Sequence, residues 1–294
     1  MPKKPRLMTG KPVAEAIQKE IAARVASLAK KKITPALHVV RVGNDPASEV
    51  YVRNKRKTSI ELGMHGVEHH LPANCTERRL LNLVKKLNED TAVHGILVQL
   101  PLPKQIDEAK ITHAIDPRKD VDGFHPVNVG KMLIGEPDYL PCTPHGVQRM
   151  LMHYGYNPAG KHVVIVGRSN IVGKPLAAIL MQKAEGANAT VTVCHSRSKR
   201  LTTITQSADI LVAAMGVPEF ITAKHLRDGA VVVDVGVNRI PDKTKKSGAR
   251  LVGDVNFESA SRKAKAITPV PGGVGPMTIT MLLLNTVRAA ERYA

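Results

Sequence analysis

The sequence predicts an α/β protein of two domains, and two observations support that prediction. Along most of the 294 residues, short apolar runs rich in β-branched residues alternate with segments in which apolar residues recur at helical spacing. The alternation is interrupted at residues 141–144, where Pro-Cys-Thr-Pro marks a new start. A chain of this length with 43% apolar residues can fill two cores. We expect one domain over residues 1–140, a second over 141–275, and a C-terminal helix over 276–294 that packs back on the first.

The first domain is predicted to contain three helices interleaved with strands. The first two helices are each preceded by a side chain that can cap them, Thr9 and Asp45, and have a proline in the first turn. The third helix is predicted from about Thr76 to Leu87. The strands are predicted at residues 36–42, around Val67, and at residues 95–100. This β-α-β succession predicts a parallel sheet.

The second domain is predicted to begin with a helix that has Thr143 as its N-cap and Pro144 as its first residue. Four apolar residues then run into a tight turn at Gly167, and an apolar helical pattern starts at Gly173. Further strands are predicted at residues 189–194, 209–213 and 230–235, and the C-terminal helix near Met277.

Ser48, Tyr51 and Lys55 share one face of the second predicted helix, because they are three and four residues apart. An aromatic ring beside an amine can stack on a planar substrate next to a group that transfers protons. The competing interpretation is a solvated basic face, because three further cations lie on the same helix. The spacing leaves both interpretations open.

Two more candidates follow from strand ends and loop composition. Ligands of parallel sheets bind at the carboxyl ends of strands, so Gln99, which follows an apolar run and precedes Leu100 and Pro101, is a candidate. Asp122 lies in a loop with two acids, a glycine and two ring residues, and its carboxylate could bind a planar edge of N–H and NH2 groups. The alternatives are a turn-stabilising role for Gln99 and an Asx-turn for Asp122.

The turn at Gly167 is predicted to place free backbone N–H groups at a helix start, where a phosphate binds well. Arg168 follows the glycine, so the turn lacks the G-x-G-x-x-G spacing and a plain crossover loop stays an alternative. The next strand ends in His195-Ser196-Arg197, where an NAD-specific domain carries an acidic residue. A hydroxyl and a cation there, with Arg168, fit a ribose 2′-phosphate, and we therefore expect NADP. A solvated charge is the alternative for Arg197.

Three glycines and three prolines fall within residues 267–276, directly before the C-terminal helix. A rigid turn with exposed N–H groups at a helix start suits a cleft wall that contacts substrate or cofactor. Pro271, Gly272 and Gly273 are the candidates in this turn, and a hinge is the alternative.

The charge and cysteine content limit the partners and the compartment. Forty-three Lys and Arg against 25 Asp and Glu give a formal charge of +18, which favours anionic partners. Nucleic acid is disfavoured, because aromatic residues are only 3% and the basic residues are scattered. Three cysteines without C-x-x-C spacing predict free thiols in a reducing cytosol. No targeting segment, membrane span or metal site is predicted, and we expect a cytoplasmic protein.

Eight segments, in this order, resemble the bifunctional methylenetetrahydrofolate dehydrogenase/methenyltetrahydrofolate cyclohydrolase family. They are YVRNKRK, GILVQLPLP, DVDGFHP, PCTPHGV, VGRSNIVGKP, CHSRS, GAVVVDVGVNR and TPVPGGVGPMT. The similarity covers essentially the whole chain and implies two α/β domains with the active site in the cleft between them, the C-terminal one Rossmann-like. The chain is too short for the formate-ligase domain that is fused in some relatives.

The resemblance implies a role for each candidate. Lys55 would transfer protons in the hydrolysis, Gln99 would position it, and Asp122 would anchor the pterin edge, with Tyr51 stacked on the folate as the fourth catalytic residue. Further substrate contacts are implied at Ser48, Gln99, Leu100, Pro101, Pro271, Gly272 and Gly273. Cofactor contacts are implied at Gly167, Arg168, Ser169, Ile171, Ser196, Arg197 and Val237.

The resemblance also implies NADP as cofactor, tetrahydrofolate derivatives as substrates, and a homodimer formed through the cofactor domains. The +18 charge would attract polyglutamylated folates, and a generally basic proteome is the alternative explanation of that charge. Two alternatives stay beside this interpretation: a related two-domain NADP-dependent dehydrogenase of another small anion, and a basic nucleic-acid-binding protein on a Rossmann-like scaffold. Neither alternative explains why Tyr51, Lys55, Gln99 and Asp122 occur together.

Overall fold

The computed structural model describes residues 4–245 and 248–292, which fall into two compact units. We call residues 15–142 and 279–292 the three-stranded unit, and residues 4–14, 143–245 and 248–278 the six-stranded unit, after their main sheets. The main division along the chain follows Cys142. The six-stranded unit also includes the start of the chain, which the sequence predicts in the first domain, because a short N-terminal strand pairs with its sheet.

Helices and strands alternate through most of the chain. The helices are α1 Gly10–Lys30, α2 Pro46–Glu61, α3 Glu77–Glu89, α4 Glu108–Ala114, α5 Pro126–Leu133, α6 Cys142–His153, α7 Gly173–Leu180, α8 Leu201–Gln206, α9 Phe257–Ala260 and α10 Gly275–Glu291, with a 3-10 turn at Ala223–His225. The strands are β1 Arg6–Leu7, β2 Ala36–Val42, β3 His65–Leu71, β4 Gly95–Val98, β5 His162–Val166, β6 Thr190–Cys194, β7 Ile210–Ala213, β8 Val231–Asp234, β9 Asn238–Pro241, β10 Ala249–Val252 and β11 Ala266–Ile267.

The sheet of the three-stranded unit has the order β3-β2-β4, and both pairings are parallel. The central strand β2 is apolar at most positions, as expected of a strand covered on both faces. Helix α3 packs Leu80 and Val84 into the same apolar cluster as Val40 and Ile96. The carboxyl ends of β2 and β4 therefore share one edge of the sheet, and Gln99 follows β4 at that edge.

The six-stranded sheet has the order β1-β11-β8-β7-β5-β6, with every neighbouring pair parallel. From β5 the chain goes to β6 on one side and then to β7 on the other. The strand order thus reverses at β5, and a crevice is expected outside its carboxyl end. The core beneath it contains Val164, Leu211, Val232 and Ile267.

Of the predicted caps, that of Asp45 is confirmed, that of Thr143 is wrong, and that of Thr9 stays a prediction. Asp45 caps α2 by accepting the Ser48 N–H at 2.7 Å, and Thr76 caps α3. Thr143 is not an N-cap, because α6 already begins at Cys142, and its hydroxyl bonds that of Thr278 at 2.7 Å. A proline in the first turn is compatible with the earlier start, since its missing N–H has no intrahelical partner there.

The pair β1 and β11 and the antiparallel hairpin of β9 and β10 were not predicted. Strands of two residues are too short to show alternation, so only their neighbours in the sheet define them. Within residues 4–245 and 248–292, no helix is long and apolar enough to cross a membrane.

Candidate active site

Lys55 is buried, unlike the other cations of its helix. It lies on the inward face of α2 with Val52 and Ser59, which are fully buried one turn before and one turn after it. Its exposed fraction is 6%, whereas the side chain of Lys57, two residues later, is 73% exposed. The interpretation of Lys55 as part of a solvated basic face is therefore wrong.

The amine of Lys55 is held by Gln99. Lys55 Nζ donates a hydrogen bond to Gln99 Oε1 at 2.9 Å, and Gln99 Nε2 donates to the carbonyl of Leu100 at 2.8 Å. The Gln99 backbone N–H donates to the Val40 carbonyl at 2.8 Å, which ties it to the central strand. Gln99 thus does both things that the sequence suggested: it closes the strand end, and it directs its oxygen to Lys55.

Asp122 is the neighbouring charge in this cluster. Burial lowers the pKa of Lys55 below its usual value, and the Asp122 carboxylate acts in the opposite direction. Burial raises the pKa of Asp122, and Lys55 opposes that shift. A buried amine beside a partly buried carboxylate, both with shifted pKa values, is typical of a site that transfers protons.

Cys142 completes the cluster and was not predicted there. It is 1% exposed, and its pKa is raised well above the usual thiol value by burial and by the adjacent Asp122 carboxylate. Its Sγ donates to the carbonyl of Val121 at 3.6 Å. No sequence pattern indicates this contact, because Cys142 has no partner at a recognisable spacing.

Asn285, on α10, holds the segment that carries Asp122. Its Nδ2 donates to the carbonyls of Val121 at 2.8 Å and Leu140 at 3.0 Å, and it is 3% exposed. These partners are 164 and 145 residues away in sequence, which is why no local pattern could indicate them. One amide group therefore fixes the backbone on both sides of the Asp122–Cys142 contact.

The remaining substrate candidates of this unit lie around the same helix and strand end. Ser48 is 7% exposed on α2, whereas Tyr51 is 41% exposed. Leu100 is half-buried and Pro101 exposed, directly after Gln99.

Pro271, Gly272 and Gly273 belong to the six-stranded unit, in the turn before α10. Gly272 has φ +101°, which favours glycine, and its carbonyl accepts the Gly10 N–H at 2.8 Å. A Cβ on Gly273 would lie 2.5 Å from the Pro269 carbonyl oxygen. The turn is thus tightly packed, and its substrate contacts remain a prediction.

A cleft of about 380 Å³ opens at the carboxyl end of β5, at the expected crevice. Its lining residues are Val166, Gly167, Arg168, Ser169, His195, Ser196, Leu201, Ala214, Met215, Val217 and Phe220. Gly167, Arg168, Ser169 and Ser196 are among the predicted cofactor residues. Ile171, Arg197 and Val237 lie outside this lining, and their cofactor contacts remain predictions.

The turn at the cleft requires both of its glycines. Gly167 has φ +133°, and a Cβ there would lie 2.0 Å from the Ala214 carbonyl oxygen. A Cβ on Gly173 would lie 2.1 Å from the Gly167 carbonyl oxygen. The Ser169 hydroxyl accepts the Val172 N–H at 3.1 Å and closes the turn. The backbone at the start of α7 is therefore compact enough for a phosphate group to approach it.

The cleft fits a dinucleotide with an additional phosphate. Leu201, Met215, Val217 and Phe220 provide an apolar wall for a planar ring, while Arg168 provides a cation and Ser196 a hydroxyl. Among the described residues that line the cleft, none is an acid of the kind that an NAD-specific domain places on the ribose hydroxyls.

Comparisons with known proteins cover both units. Residues 8–122 match the model of the tetrahydrofolate dehydrogenase/cyclohydrolase catalytic domain, and residues 141–294 match that of the tetrahydrofolate dehydrogenase/cyclohydrolase NAD(P)-binding domain. The chain belongs to the tetrahydrofolate dehydrogenase/cyclohydrolase family. Among similar proteins of this family, bifunctional protein FolD of Dehalococcoides mccartyi is 58% identical over 289 residues, covering 98% of this chain and 97% of the relative. That of Acetivibrio thermocellus is 54% identical over 289 residues, covering 98% of both.

Solved structures of the family agree with the fold. The bifunctional FolD enzyme of Campylobacter jejuni is 45% identical with a TM-score of 0.92, covering 98% of this chain and 99% of that one. The Trypanosoma brucei dehydrogenase-cyclohydrolase, solved with NADP and an inhibitor, is 41% identical with a TM-score of 0.93, covering 99% of both. The predicted fold class of two α/β domains with a Rossmann-like C-terminal one is confirmed.

Proposed function

We propose that this chain oxidises 5,10-methylenetetrahydrofolate to 5,10-methenyltetrahydrofolate with NADP and hydrolyses that product to 10-formyltetrahydrofolate, with Lys55 transferring the protons of the hydrolysis. Membership of the family supports both activities and the cofactor. The observation that carries the assignment of Lys55 is its buried amine, bonded to Gln99 and next to Asp122.

The oxidation depends mainly on alignment. When bound, NADP supplies the acceptor for the hydride that leaves the one-carbon bridge of the folate. The cation left on the folate is delocalised over its two flanking nitrogens, so the step requires no general base. Asp122 would orient the pterin through its N–H edge and Tyr51 would stack on the folate, while Arg168 and Ser196 would bind the 2′-phosphate.

The hydrolysis needs proton transfer. Water forms a C–O bond to the one-carbon bridge as a neutral Lys55 amine takes one of its protons. The tetrahedral adduct then breaks one C–N bond, and the nitrogen that leaves receives a proton, so one proton is released overall. Burial lowers the pKa of Lys55 and increases the neutral fraction of the amine, and Gln99 keeps the amine in position.

A paired assay of Lys55→Met tests this assignment. We expect hydrolysis of supplied methenyltetrahydrofolate to fall by a factor of about 10³, within the usual range for a lost acid–base group, while NADP still binds. Lys57→Met is the matched control, because Lys57 lies on the same helix with its side chain exposed. If Lys55→Met hydrolysed at the wild-type rate, Lys55 would not be the proton-transfer group, even though the family is established.

We also propose a homodimer formed through the six-stranded unit. Strand β6 lies at one edge of the sheet and, within the described residues, pairs with β5 alone. Thr190 N–H donates to the Lys161 carbonyl at 3.0 Å, so the Val191 N–H points to the open side. Sedimentation should show a dimer that is weakened by Val191→Pro but not by Val191→Thr. A monomeric wild type at micromolar concentration would refute it.

Polyglutamylated folates are the proposed physiological substrates, because a formal charge of +18 attracts a polyanionic tail. The KM of a pentaglutamate should be lower than that of the monoglutamate, and the difference should shrink at high salt. Equal KM values at low salt would contradict the proposal.

We propose a cytoplasmic location, because the cysteines Cys75, Cys142 and Cys194 are free and buried. Cell fractionation tests it, and recovery in an exported fraction would overturn it.

A further inference from the structure

Two buried carboxylates of the six-stranded unit have no role in the mechanism above. Asp234 is the last residue of β8 and is 3% exposed, and Asp254, two residues after β10, is fully buried. Buried aspartates are uncommon unless their oxygens are well paired. Their partners therefore indicate what they do.

Asp254 accepts three hydrogen bonds. Its Oδ2 accepts the backbone N–H groups of Met215 at 2.6 Å and Gly216 at 2.9 Å. Its Oδ1 accepts from Nδ2 of Asn238 at 2.8 Å. One side chain thus joins the turn after β7 to the segment that begins β9.

Asp234 holds Asp254 in place. Its Oδ1 accepts the N–H groups of Gly236 at 3.0 Å and Asp254 at 3.0 Å, and its Oδ2 accepts the Val255 N–H at 2.9 Å. All six donors to the two carboxylates are N–H groups, as suits oxygens that carry negative charge.

The backbone packs directly against these oxygens. A Cβ on Gly236 would lie 2.2 Å from Asp254 Oδ1, and a Cβ on Gly253 would lie 1.7 Å from Asp234 Oδ2. Any side chain at either position would displace a carboxylate. The two glycines are therefore part of the same arrangement.

The turn that Asp254 holds is a wall of the cofactor cleft. Met215 lines the cleft together with Ala214, Val217 and Phe220. The N–H of Glu219, between the last two, donates to the Gly253 carbonyl at 3.0 Å, so the same segment is anchored at a second point. The carboxylate pair lies behind the wall rather than in the cleft lining.

We propose that Asp234 and Asp254 are positioning residues for NADP, which hold residues 214–220 in the binding conformation before the cofactor arrives. This inference rests on the proposed cofactor site in the cleft. A wall that is already ordered removes the cost of ordering it on binding, and so increases affinity. Without the pair, NADP would have to fold the turn as it binds.

Hydrogen exchange of the wild-type apo protein is the first test. We expect the Met215 and Gly216 amides to be protected to within about tenfold of the Val212 amide in β7, because bonded amides exchange only on opening. Exchange at the rate of an open loop, slowed only when NADP is added, would overturn the proposal. Failure of the wild type to bind NADP at all would instead contradict the proposed function.

Substitutions at Asp254 provide the second test, with NADP affinity measured by calorimetry at about pH 8. Burial raises the pKa of Asp234 to about 7, so this pH lies above that pKa and Asp234 is mostly ionised. Asp254→Ala should bind NADP at least about 50-fold more weakly, while its hydrolysis of methenyltetrahydrofolate without cofactor stays within about twofold. Asp254→Asn should recover most of the affinity, because its oxygen can accept both turn N–H groups and the Asn238 amide can rotate. Unchanged affinity in Asp254→Ala would refute the proposal, and if that variant fails to fold, hydrogen exchange alone decides.

Asp209→Ala is the matched control. Asp209 also accepts a backbone N–H, from His162 at 2.8 Å, but it precedes β7, whereas Met215 follows that strand. It should lower stability and leave NADP affinity within about twofold of wild type. An equal loss of affinity in both variants would mean that any lost carboxylate weakens the unit, and the proposal would be wrong.

Discussion

The two units both bury charged side chains near strand ends, but they pair them differently. In the six-stranded unit, Asp234 and Asp254 each accept three N–H hydrogen bonds. In the three-stranded unit, the amine of Lys55 has one hydrogen bond within the described residues, to Gln99, and lies next to a carboxylate whose own pKa is raised.

The difference separates a scaffold from a reacting group. A buried charge with all its partners is fixed in place and costly to disturb. A buried amine with few partners changes its protonation state more easily, and that is what a proton-transfer group requires. The number and kind of donors around a buried charge therefore indicate its role better than burial alone. The predictions below test this contrast, from the largest expected effect to the smallest.

The largest effect is expected in the pH dependence of stability at Asp234. Burial raises its pKa from 3.8 to about 7, so the folded state keeps a proton that the unfolded state loses. The free energy of unfolding of the wild type, relative to Asp234→Asn, should therefore fall as pH rises from about 4 to about 7, by up to about 4 kcal/mol, and then stay level. Denaturant unfolding of both proteins at several pH values measures it.

Asp209→Asn is the control for this pH series. Hydrogen bonding to the His162 backbone and the nearby Arg227 lower the pKa of Asp209, so its contribution is present above the unfolded pKa and is lost on acidification. The free energy of unfolding of the wild type, relative to Asp209→Asn, should therefore not fall as pH rises. Parallel curves for wild type and Asp234→Asn would show that Asp234 titrates like an exposed acid and that burial does not raise its pKa.

Gly253→Ala should destabilise the six-stranded unit by about 3 kcal/mol, because overpacking against a buried carboxylate also breaks its hydrogen bonds. The new Cβ would fall 1.7 Å from Asp234 Oδ2. Thermal unfolding measures the effect. Gly130→Ala is the control, since nothing lies within 4 Å of its added Cβ in α5, and a stability loss of similar size there would discount the packing explanation.

Asp122→Asn should reduce kcat/KM of hydrolysis by about 100-fold, through loss of the charge next to Lys55 and of its contact to the pterin. The carboxylate raises the pKa of Lys55, so its removal should also move the acid limb of the pH–rate profile to lower pH. Asp138→Asn, which loses contacts to Lys131 and Arg292 instead, should leave the profile in place. An unmoved acid limb in Asp122→Asn would mean that the Asp122 carboxylate does not raise the pKa of Lys55.

Asn285→Leu should cost about 2 kcal/mol, because it leaves the buried carbonyls of Val121 and Leu140 without their donor. The KM for folate should rise severalfold while NADP affinity stays unchanged, because Asn285 holds the segment of Asp122. Thr286→Val, its neighbour with a hydroxyl bonded only within α10, is the control. Equal KM values for folate in the two variants would mean that Asn285 contributes to stability but does not position Asp122 for substrate binding.

Much of the fold could be predicted because its signals are local. Asp45 with a following proline gave the start of α2, and the apolar run before Gly167 gave β5 and its turn. Thr143 failed as a cap because α6 begins one residue earlier, at Cys142, and the Thr143 hydroxyl bonds that of Thr278 on another helix. β1 and β11 could not be predicted, since each exists only through a pairing with a distant segment.

The candidate site was predicted in its residues but not in its environment. The ordered motifs identified Lys55, Gln99 and Asp122, yet Lys55 and Lys57 cannot be distinguished by the composition of their helix. Cys142, Asn285 and the pair of Asp234 and Asp254 gave no sequence signal, because their partners are set by side chains and turns far along the chain.

The sequence by itself determined the alternation of elements, the Asp45 cap of α2, the glycine turn at β5 and the family. Tertiary structure alone decided which lysine is desolvated and which amide holds the backbone next to Asp122. It also decided how two aspartates share six N–H donors. The physical reason is the distance along the chain over which each effect acts. Periodicity and capping act over a few residues, whereas desolvation and hydrogen bonding of a buried charge depend on whatever the rest of the chain packs around it.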